Sequence, residues 1–311
     1  MVKTDWAVRL LTLTLAIALL TAAVLLALPR SGGSAVVLTA PVPRDPTAIF
    51  VGPHEVWVAS QGAGVVSVLD RVSGHVRRTI HTGGAPARLA GSAGGVWVAD
   101  AERASITPVT ARPLRRLGRF TGSADVSDVA VGAGAVWWSS SAEGVVRVRD
   151  RNASRPRVLA AGARPIALAS NERWVVVANS GDGTIARIDA ARRRIAGAPL
   201  RVGGTPVDIA LDGNHAWVLD AAAGNVSRID LRTGSRGPRI GVGSRPVAVA
   251  ADGDDVYVVS AGERDLLHID AVTGRVESRT RLGDVPAALA LDPTYVWVTD
   301  IGGDTVTRYD R

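Results

Sequence analysis

A repeated unit constrains the fold of this chain more than any other feature of its sequence. Seven units run from Pro46 to the C-terminus, and their successive starts lie 40, 40, 39, 41, 40 and 40 residues apart. A complete unit opens with a proline, has an aromatic residue eleven positions later, and has an aspartate thirteen positions after that. Four units are complete: Pro46, Trp57 and Asp70; Pro206, Trp217 and Asp230; Pro246, Tyr257 and Asp270; Pro286, Trp297 and Asp310. Three units deviate at one position each: Pro86, Trp97 and Thr110; Val126, Trp137 and Asp150; Pro165, Val176 and Asp189. A repeat of this period predicts a propeller or a solenoid.

Each unit contains four short apolar runs separated by turn residues. In the unit that opens at Pro206 the runs are VDIAL, AWVLD, VSRID and PRIGV, with Gly, Asn and Asp between them. Short runs of this kind are typical of an antiparallel meander. The first run has apolar residues on both faces, so both faces of the sheet must be covered, as they are between neighbouring blades. We therefore predict an all-β fold, a seven-bladed β-propeller of four-stranded antiparallel blades over residues 45–311.

The two ends of the repeat predict how the ring closes. The seventh unit stops at Thr305–Arg311, after its third run, and has no fourth run. The apolar segment Ala35–Thr39 lies just before the first unit and belongs to no other run. If this segment supplies the missing outer strand, the ring closes and two open sheet edges disappear.

The N-terminus predicts a membrane anchor. Residues 1–9 are short and mildly basic, and Leu10–Leu28 contains nineteen residues without a charge. This run is long enough to span a bilayer and longer than the core of a signal peptide. Lys3 and Arg9 favour a cytoplasmic N-terminus, with residues 29–44 as tether and closing strand and the propeller outside the cytoplasm. Alternatively, cleavage after the small residues near Ala35 would secrete the propeller.

Composition and charge restrict the chemistry. The chain has no cysteine, which excludes disulfides and thiolate metal sites. Its net charge of +7 favours anionic partners only where the arginines cluster. The sequence has neither a lysine-rich patch nor interleaved aromatic and basic residues, so we expect no nucleic-acid partner. The five histidines do not converge, because even His54 and His215, which occupy the same kind of turn, belong to units one and five on opposite sides of the ring. We therefore predict no catalytic residue, no metal site and no cofactor. We expect a monomer.

The charges separate between the two rims of the predicted ring. The loops between second and third strands are acidic, and we take them as a candidate site for an unknown protein or small-molecule ligand. The candidate residues are Asp100, Glu143, Asp182, Asp220, Glu263, Asp300 and Asp304. Solvation of a surface rim is the alternative reading. The opposite turns and the outer strands carry arginines at 77, 78, 115, 116, 155, 157, 192, 193, 194, 236, 239, 275 and 279. These either protect exposed strand edges or contact anionic lipid headgroups and other envelope polyanions.

The three positions that recur from unit to unit have structural explanations. The proline fits the start of the innermost strand, where it ends the preceding glycine-containing turn. The aromatic residue is a large apolar filler between blades. The aspartate accepts backbone N–H bonds in the turn that follows the third strand.

The stretch PVDIALDGNHAWVLDAAAGNVSRIDLRTG resembles a blade of the bacterial seven-bladed propellers of the YVTN and virginiamycin B lyase-like group, which are related to NHL repeats. The resemblance covers about residues 40–311 and implies the fold. Relatives include antibiotic lyases, ligand-sensing modules of receptor kinases and surface proteins. The lyases use a histidine and acidic metal ligands at the ring mouth for β-elimination on a cyclic depsipeptide. Only His81 lies near that rim here, so we transfer no catalytic residue. We expect a non-catalytic binding or scaffold module, with a metal-assisted lyase or hydrolase as the alternative.

Overall fold

The computed structural model describes residues 33–311 except 93, 112, 117, 151–152 and 154. The predicted anchor at Leu10–Leu28 lies outside these residues. Within them, no helix is long and apolar enough to cross a membrane. The described chain forms 29 strands in seven antiparallel sheets, which confirms the all-β propeller of seven blades.

The first three blades follow the sequence order of their strands. The chain begins with β1 (Val36–Pro41). Blade 1 contains β2 (Pro46–Val51), β3 (Glu55–Ser60), β4 (Val65–Asp70) and β5 (Val76–His81). Blade 2 contains β6 (Pro86–Ser92), β7 (Gly95–Asp100), β8 (Ser105–Ala111) and β9 (Leu114–Arg116). Blade 3 contains β10 (Asp128–Gly132), β11 (Ala135–Ser140), β12 (Val145–Asp150) and β13 (Arg157–Ala160).

The other four blades repeat this order with two variations. Blade 4 contains β14 (Pro165–Ser170), β15 (Trp174–Asn179) and β16 (Thr184–Asp189), and its outer strand is split into β17 (Arg194–Ile195) and β18 (Leu200–Arg201). Blade 5 contains β19 (Pro206–Asp212), β20 (His215–Asp220), β21 (Asn225–Asp230) and β22 (Arg236–Gly241). Blade 6 contains β23 (Pro246–Asp252), β24 (Asp255–Ser260), β25 (Asp265–Asp270) and β26 (Val276–Arg281). Blade 7 contains β27 (Pro286–Leu291), β28 (Tyr295–Asp300), β29 (Thr305–Asp310) and β1.

The first strands of the blades form the inner wall of the ring. Each packs against the first strand of the next blade, and β27 of blade 7 packs against β2 of blade 1. The ring is therefore closed around a central channel. Between blades the core contains the aromatic residue of the unit: Trp217 is fully buried among residues of blades 5 and 6. This confirms the packing role predicted for these aromatic residues.

The closing strand pairs as the sequence predicted. Residue Val36 of β1 lies opposite Tyr309 of β29, and the pairing continues to Pro41 opposite Thr305. Side chains from the closing segment enter the core, because Ala40 and Val42 are buried. The N-terminal segment thus completes the last blade and covers the edge of β29.

The turn after the third strand also forms as predicted. The Asp230 carboxylate accepts hydrogen bonds from the backbone N–H groups of Arg232 and Thr233, at 2.8 and 2.9 Å. Gly234 closes the turn with a φ of 78°, a conformation that glycine adopts without steric cost. Asp70 and Asp270 form the same pair of bonds in their own turns.

Two rims follow from this topology. The connector rim consists of the links between blades and the loops between second and third strands. The links are residues 42–45, 82–85, 118–127, 161–164, 202–205, 242–245 and 282–285, and the loops are residues 61–64, 101–104, 141–144, 180–183, 221–224, 261–264 and 301–304. The turn rim, on the opposite side, holds the turns between first and second strands and those between third and fourth strands, such as 213–214 and 231–235 in blade 5.

Candidate functional site

The acidic residues predicted as a ligand site lie on the connector rim, spread around the ring. Three of them end the second strand of their blade, and each accepts the backbone N–H of the residue before the opening proline. Asp100 accepts from Ala85 at 3.2 Å, Asp220 from Thr205 at 2.9 Å, and Asp300 from Val285 at 3.4 Å. Each carboxylate therefore ties the loop of its blade to the link that enters the same blade.

Three further blades make the same connection with a different residue. Here the carboxylate comes from the loop and accepts the N–H two residues before the start of the unit. Glu143 accepts from Ala124 at 2.6 Å, Asp182 from Ala163 at 3.1 Å, and Glu263 from Ser244 at 2.7 Å. The last candidate, Asp304 of blade 7, accepts the N–H of Asp45 at 2.9 Å in the link to blade 1. All seven candidate carboxylates thus have a structural partner, and their role in ligand binding stays a prediction.

The close approach of the links to these carboxylates explains why the links contain glycine. Asp100, Asp220 and Asp300 are buried. A Cβ atom at Gly84, Gly204 or Gly283 would collide with the respective carboxylate, so the link must carry glycine to pass this close. The sequence shows both partners, but their contact requires the antiparallel pairing of the blade.

Hydrogen bonding also sets the acidity of this rim. Bonds from the Ser260 hydroxyl and the Ser244 N–H hold the pKa of Glu263 at about 2. The Arg147 guanidinium and the Ala124 N–H lower the pKa of Glu143. Both groups therefore stay ionised at neutral pH.

A second group of charges lies in the channel, and the sequence analysis did not identify it. It occupies the third position of the repeated unit, where four blades have alanine and three have a charged residue. The residues at this position are Ala48, Arg88, Asp128, Ala167, Asp208, Ala248 and Ala288. Nε of Arg88 lies 3.9 Å from Oδ1 of Asp128, and the side chain of Asp128 is only 13% exposed. We call Arg88, Asp128 and Asp208 the channel triad.

Both channel carboxylates contact the next blade. Oδ2 of Asp128 accepts the N–H of Leu168 at 2.7 Å, and Oδ2 of Asp208 accepts the N–H of Val249 at 2.8 Å. These donors belong to first strands, which have a sheet partner on one side only. The carboxylates therefore lie at the strand edges that face the channel, close to the connector rim.

Burial makes these two carboxyl groups weak acids. It raises the pKa of Asp128 to about 6, although the neighbouring Arg88 opposes the shift. It raises the pKa of Asp208 to about 7, and the negative charge of Asp128 adds to this shift. The triad can therefore bind a cation or a hydrogen-bond donor and can exchange a proton near neutral pH.

The arginines of the turn rim are partly neutralised by the aspartates of the repeat. Arg192 pairs with Asp189 at 2.7 Å, and Arg193 pairs with Asp150 at 2.6 Å. Among the described residues, no group of three His, Cys, Asp or Glu side chains is placed to hold a metal ion.

Comparison with known proteins identifies the architecture. Virginiamycin B lyase from Staphylococcus aureus superimposes with a TM-score of 0.74 at 15% identity, over 88% of this chain and 98% of the lyase. A catalytically inactive variant of that lyase with quinupristin gives 0.75 at 17% identity, with the same coverage of both chains. Hydrazine synthase from Kuenenia stuttgartiensis gives 0.76 at 15% identity, over 88% of this chain and 97% of that chain. At these identities the similarity concerns the fold alone.

Two sequence comparisons gave no match. No protein-family model matches the chain. No curated protein matches it either.

Proposed function

We propose that this chain is a non-catalytic binding module, held outside the cytoplasm by an N-terminal membrane anchor, whose channel receives a ligand through the connector rim. The channel triad is the observation that carries this proposal. Four blades close the ring with alanine at the same position, so packing does not require Arg88, Asp128 or Asp208 there. Buried charges are costly, and carboxylates with raised pKa values in a cavity are typical of functional sites.

The charge balance of the triad indicates the class of ligand. Arg88 balances one carboxylate, and Asp208 has no ion-pair partner among the described residues. The acidic loops of the connector rim surround the entrance and attract positive charge toward it. A small organic cation, such as a primary amine, fits both features.

Equilibrium binding to the full-length protein in detergent tests this function. The probes are ethylammonium, putrescine and arginine, measured by calorimetry at pH 8, where both carboxylates are ionised. We expect Asp208→Ala to remove binding, because it removes the negative charge that pairs with the cation. The fold should tolerate the change, since four sister blades have alanine at this position. Asp284→Ala changes the same charge at an exposed side chain and should bind like wild type. Equal binding by wild type and Asp208→Ala, or no binding of any probe, would refute the proposal.

A direct assay separates this function from the lyase alternative. The full-length protein is incubated with quinupristin and Mg²⁺, and the intact compound is followed by mass spectrometry. A binding module leaves the compound unchanged. Its time-dependent loss would instead establish catalysis.

A further inference from the structure

A cavity lies on the turn rim, where blade 7 meets blade 1. Its volume is about 460 Å³. It is lined by Pro53, His54, Asp70, Arg71, Val72, Arg77, Tyr295 and Arg308. We call this cavity the seam cleft. It lies on the opposite rim from the channel entrance.

One wall of the seam cleft contains a buried arginine without an acidic partner. Nη1 of Arg308 donates to the carbonyl oxygens of Arg71 and Val72, at 2.8 and 3.1 Å. The guanidinium lies 4.3 Å from the centre of the Tyr295 ring, and Nε is buried without a hydrogen-bond partner. No ion pair among the described residues involves Arg308, so only carbonyl dipoles and the ring faces of Tyr295 and Trp297 stabilise its charge.

The hydrogen bonds from Arg308 to carbonyl groups of the next blade are a repeated feature of the propeller. Arg187 and Arg228 make it in blades 4 and 5, where their Nη1 atoms donate to the carbonyls of Leu231 and Ala271 at 2.9 and 3.0 Å. An arginine that repeats in this way stabilises neighbouring blades. The distinctive features of the seam cleft must therefore lie on its other wall.

That wall differs from three of its counterparts at one position. The residue after the turn aspartate is apolar and buried in three other blades, as Ala190, Leu231 and Ala271. In blade 1 it is Arg71, whose Nε bonds Oδ2 of Asp292 at 3.1 Å across the seam. The apolar side chain that fills three other seams is thus replaced by a cation that lines the opening. Blade 7 also has an arginine at this position, Arg311, which pairs with Asp252 at 2.7 Å, but the residue that corresponds to Arg308 in the adjoining blade 6 is His268.

From this geometry we propose that the seam cleft binds the phosphate group of a small molecule or of a lipid headgroup. Arg71, Arg77 and Arg308 bring three guanidinium groups to one cavity, beside His54. Asp70 and Asp292 balance two of these charges and leave a positive excess. Three guanidinium groups on different sides suit the several oxygens of phosphate better than the two oxygens of a carboxylate. The volume is also in the range of small-molecule sites.

Binding at this place stabilises ring closure. The two walls come from residues far apart in the sequence, such as Arg71 and Asp292, and they meet only when blade 7 packs against blade 1. A ligand that contacts both walls binds the closed ring and not the open chain. It must therefore raise the free energy of unfolding by RT ln(1 + L/Kd), where L is the free ligand concentration, and the melting temperature rises with that concentration.

The experiment uses the full-length protein in nanodiscs of phosphatidylcholine, titrated with inorganic phosphate at constant ionic strength. We expect the melting temperature of wild type to rise with the logarithm of the phosphate concentration above Kd, and we expect at least a tenfold weaker affinity in Arg71→Ala. This variant carries the residue of blades 4 and 6, so the fold tolerates it. Arg232→Ala, at an exposed turn position of blade 5, is the charge-matched control and should behave like wild type.

Phosphatidylglycerol nanodiscs identify the source of the phosphate. If free phosphate raises the melting temperature of wild type in phosphatidylcholine discs, the ligand is soluble. If only phosphatidylglycerol raises the melting temperature, and Arg71→Ala removes the rise, the ligand is a headgroup. If neither stabilises wild type more than Arg71→Ala, the proposal is refuted. Cation binding in the channel is independent of each outcome, because Asp208 takes no part in the seam cleft.

Discussion

The stability of the protein should fall as pH rises from about 4 to about 7, because Asp208 holds a proton in the folded ring. Burial raises the pKa of this carboxyl group from 3.8 to about 7. The folded protein therefore binds the proton more tightly than the unfolded chain. Ionising Asp208 therefore lowers the free energy of unfolding. This loss is absent below the unfolded pKa, grows as pH rises above it, and is complete above the folded pKa.

The size of the effect follows from the shift. One pKa unit corresponds to about 1.4 kcal/mol, so ionised Asp208 destabilises the fold by about 4 kcal/mol at pH 8 and about 2 kcal/mol at pH 5. Asp208→Asn removes the charge and keeps an oxygen that accepts the Val249 N–H. We expect this variant to be more stable than wild type at both pH values, with an advantage about 2 kcal/mol larger at pH 8.

The assay is urea denaturation of both proteins from pH 5 to 8, followed by tryptophan fluorescence. The difference between the two proteins cancels those groups titrating in this range that do not interact with Asp208. Asp284→Asn is the control, because its side chain is 77% exposed and its ion pair lies at the surface. Its difference from wild type should stay below about 1 kcal/mol. An Asp208→Asn advantage that is the same at pH 5 and pH 8 would show that the carboxyl group titrates normally.

Three further predictions concern closure and the connector rim. Deleting residues 35–45 should lower the melting temperature sharply in calorimetry, because β29 loses its partner; an unchanged melting point would contradict this role. Gly204→Ala should cost more free energy of unfolding than Gly213→Ala, by about 1–3 kcal/mol in urea denaturation, because both glycines have positive φ but only Gly204 lies against a carboxylate. Equal costs would refute the contact with Asp220. Glu263→Gln should destabilise the protein at pH 7 and match wild type near pH 2, because the depressed pKa of Glu263 contributes stability that is lost as pH falls toward 2. Denaturation curves that differ equally at both pH values would contradict it.

Much of the fold could be read from local and periodic features. The repeat of about 40 residues defined the blades, and the missing fourth run of the last unit, with the spare run at Ala35–Thr39, predicted the closing strand. The burial of Trp217 and the turn at Asp230 could be predicted in the same way, because each residue acts within its own unit or against a neighbouring unit of the same pattern. Such roles repeat with the sequence and can be recognised from it.

The candidate sites depend on contacts between residues of different units. The sequence pattern does not show which of these residues meet in the folded ring. The alternation of faces along the first strand placed Val207, Ile209 and Leu211 together, but a bulge between Pro206 and Asp208 shifts the register at the channel. Only the ring brings Asp208 to the N–H of Val249 in the next blade. The same holds for Arg71 and Asp292, which are 221 residues apart and meet because blade 7 closes on blade 1. The sequence by itself thus determined the blades and how they close, since those interactions are local or periodic. The tertiary structure decided which charges share a cavity, because that depends on the packing of one blade against the next.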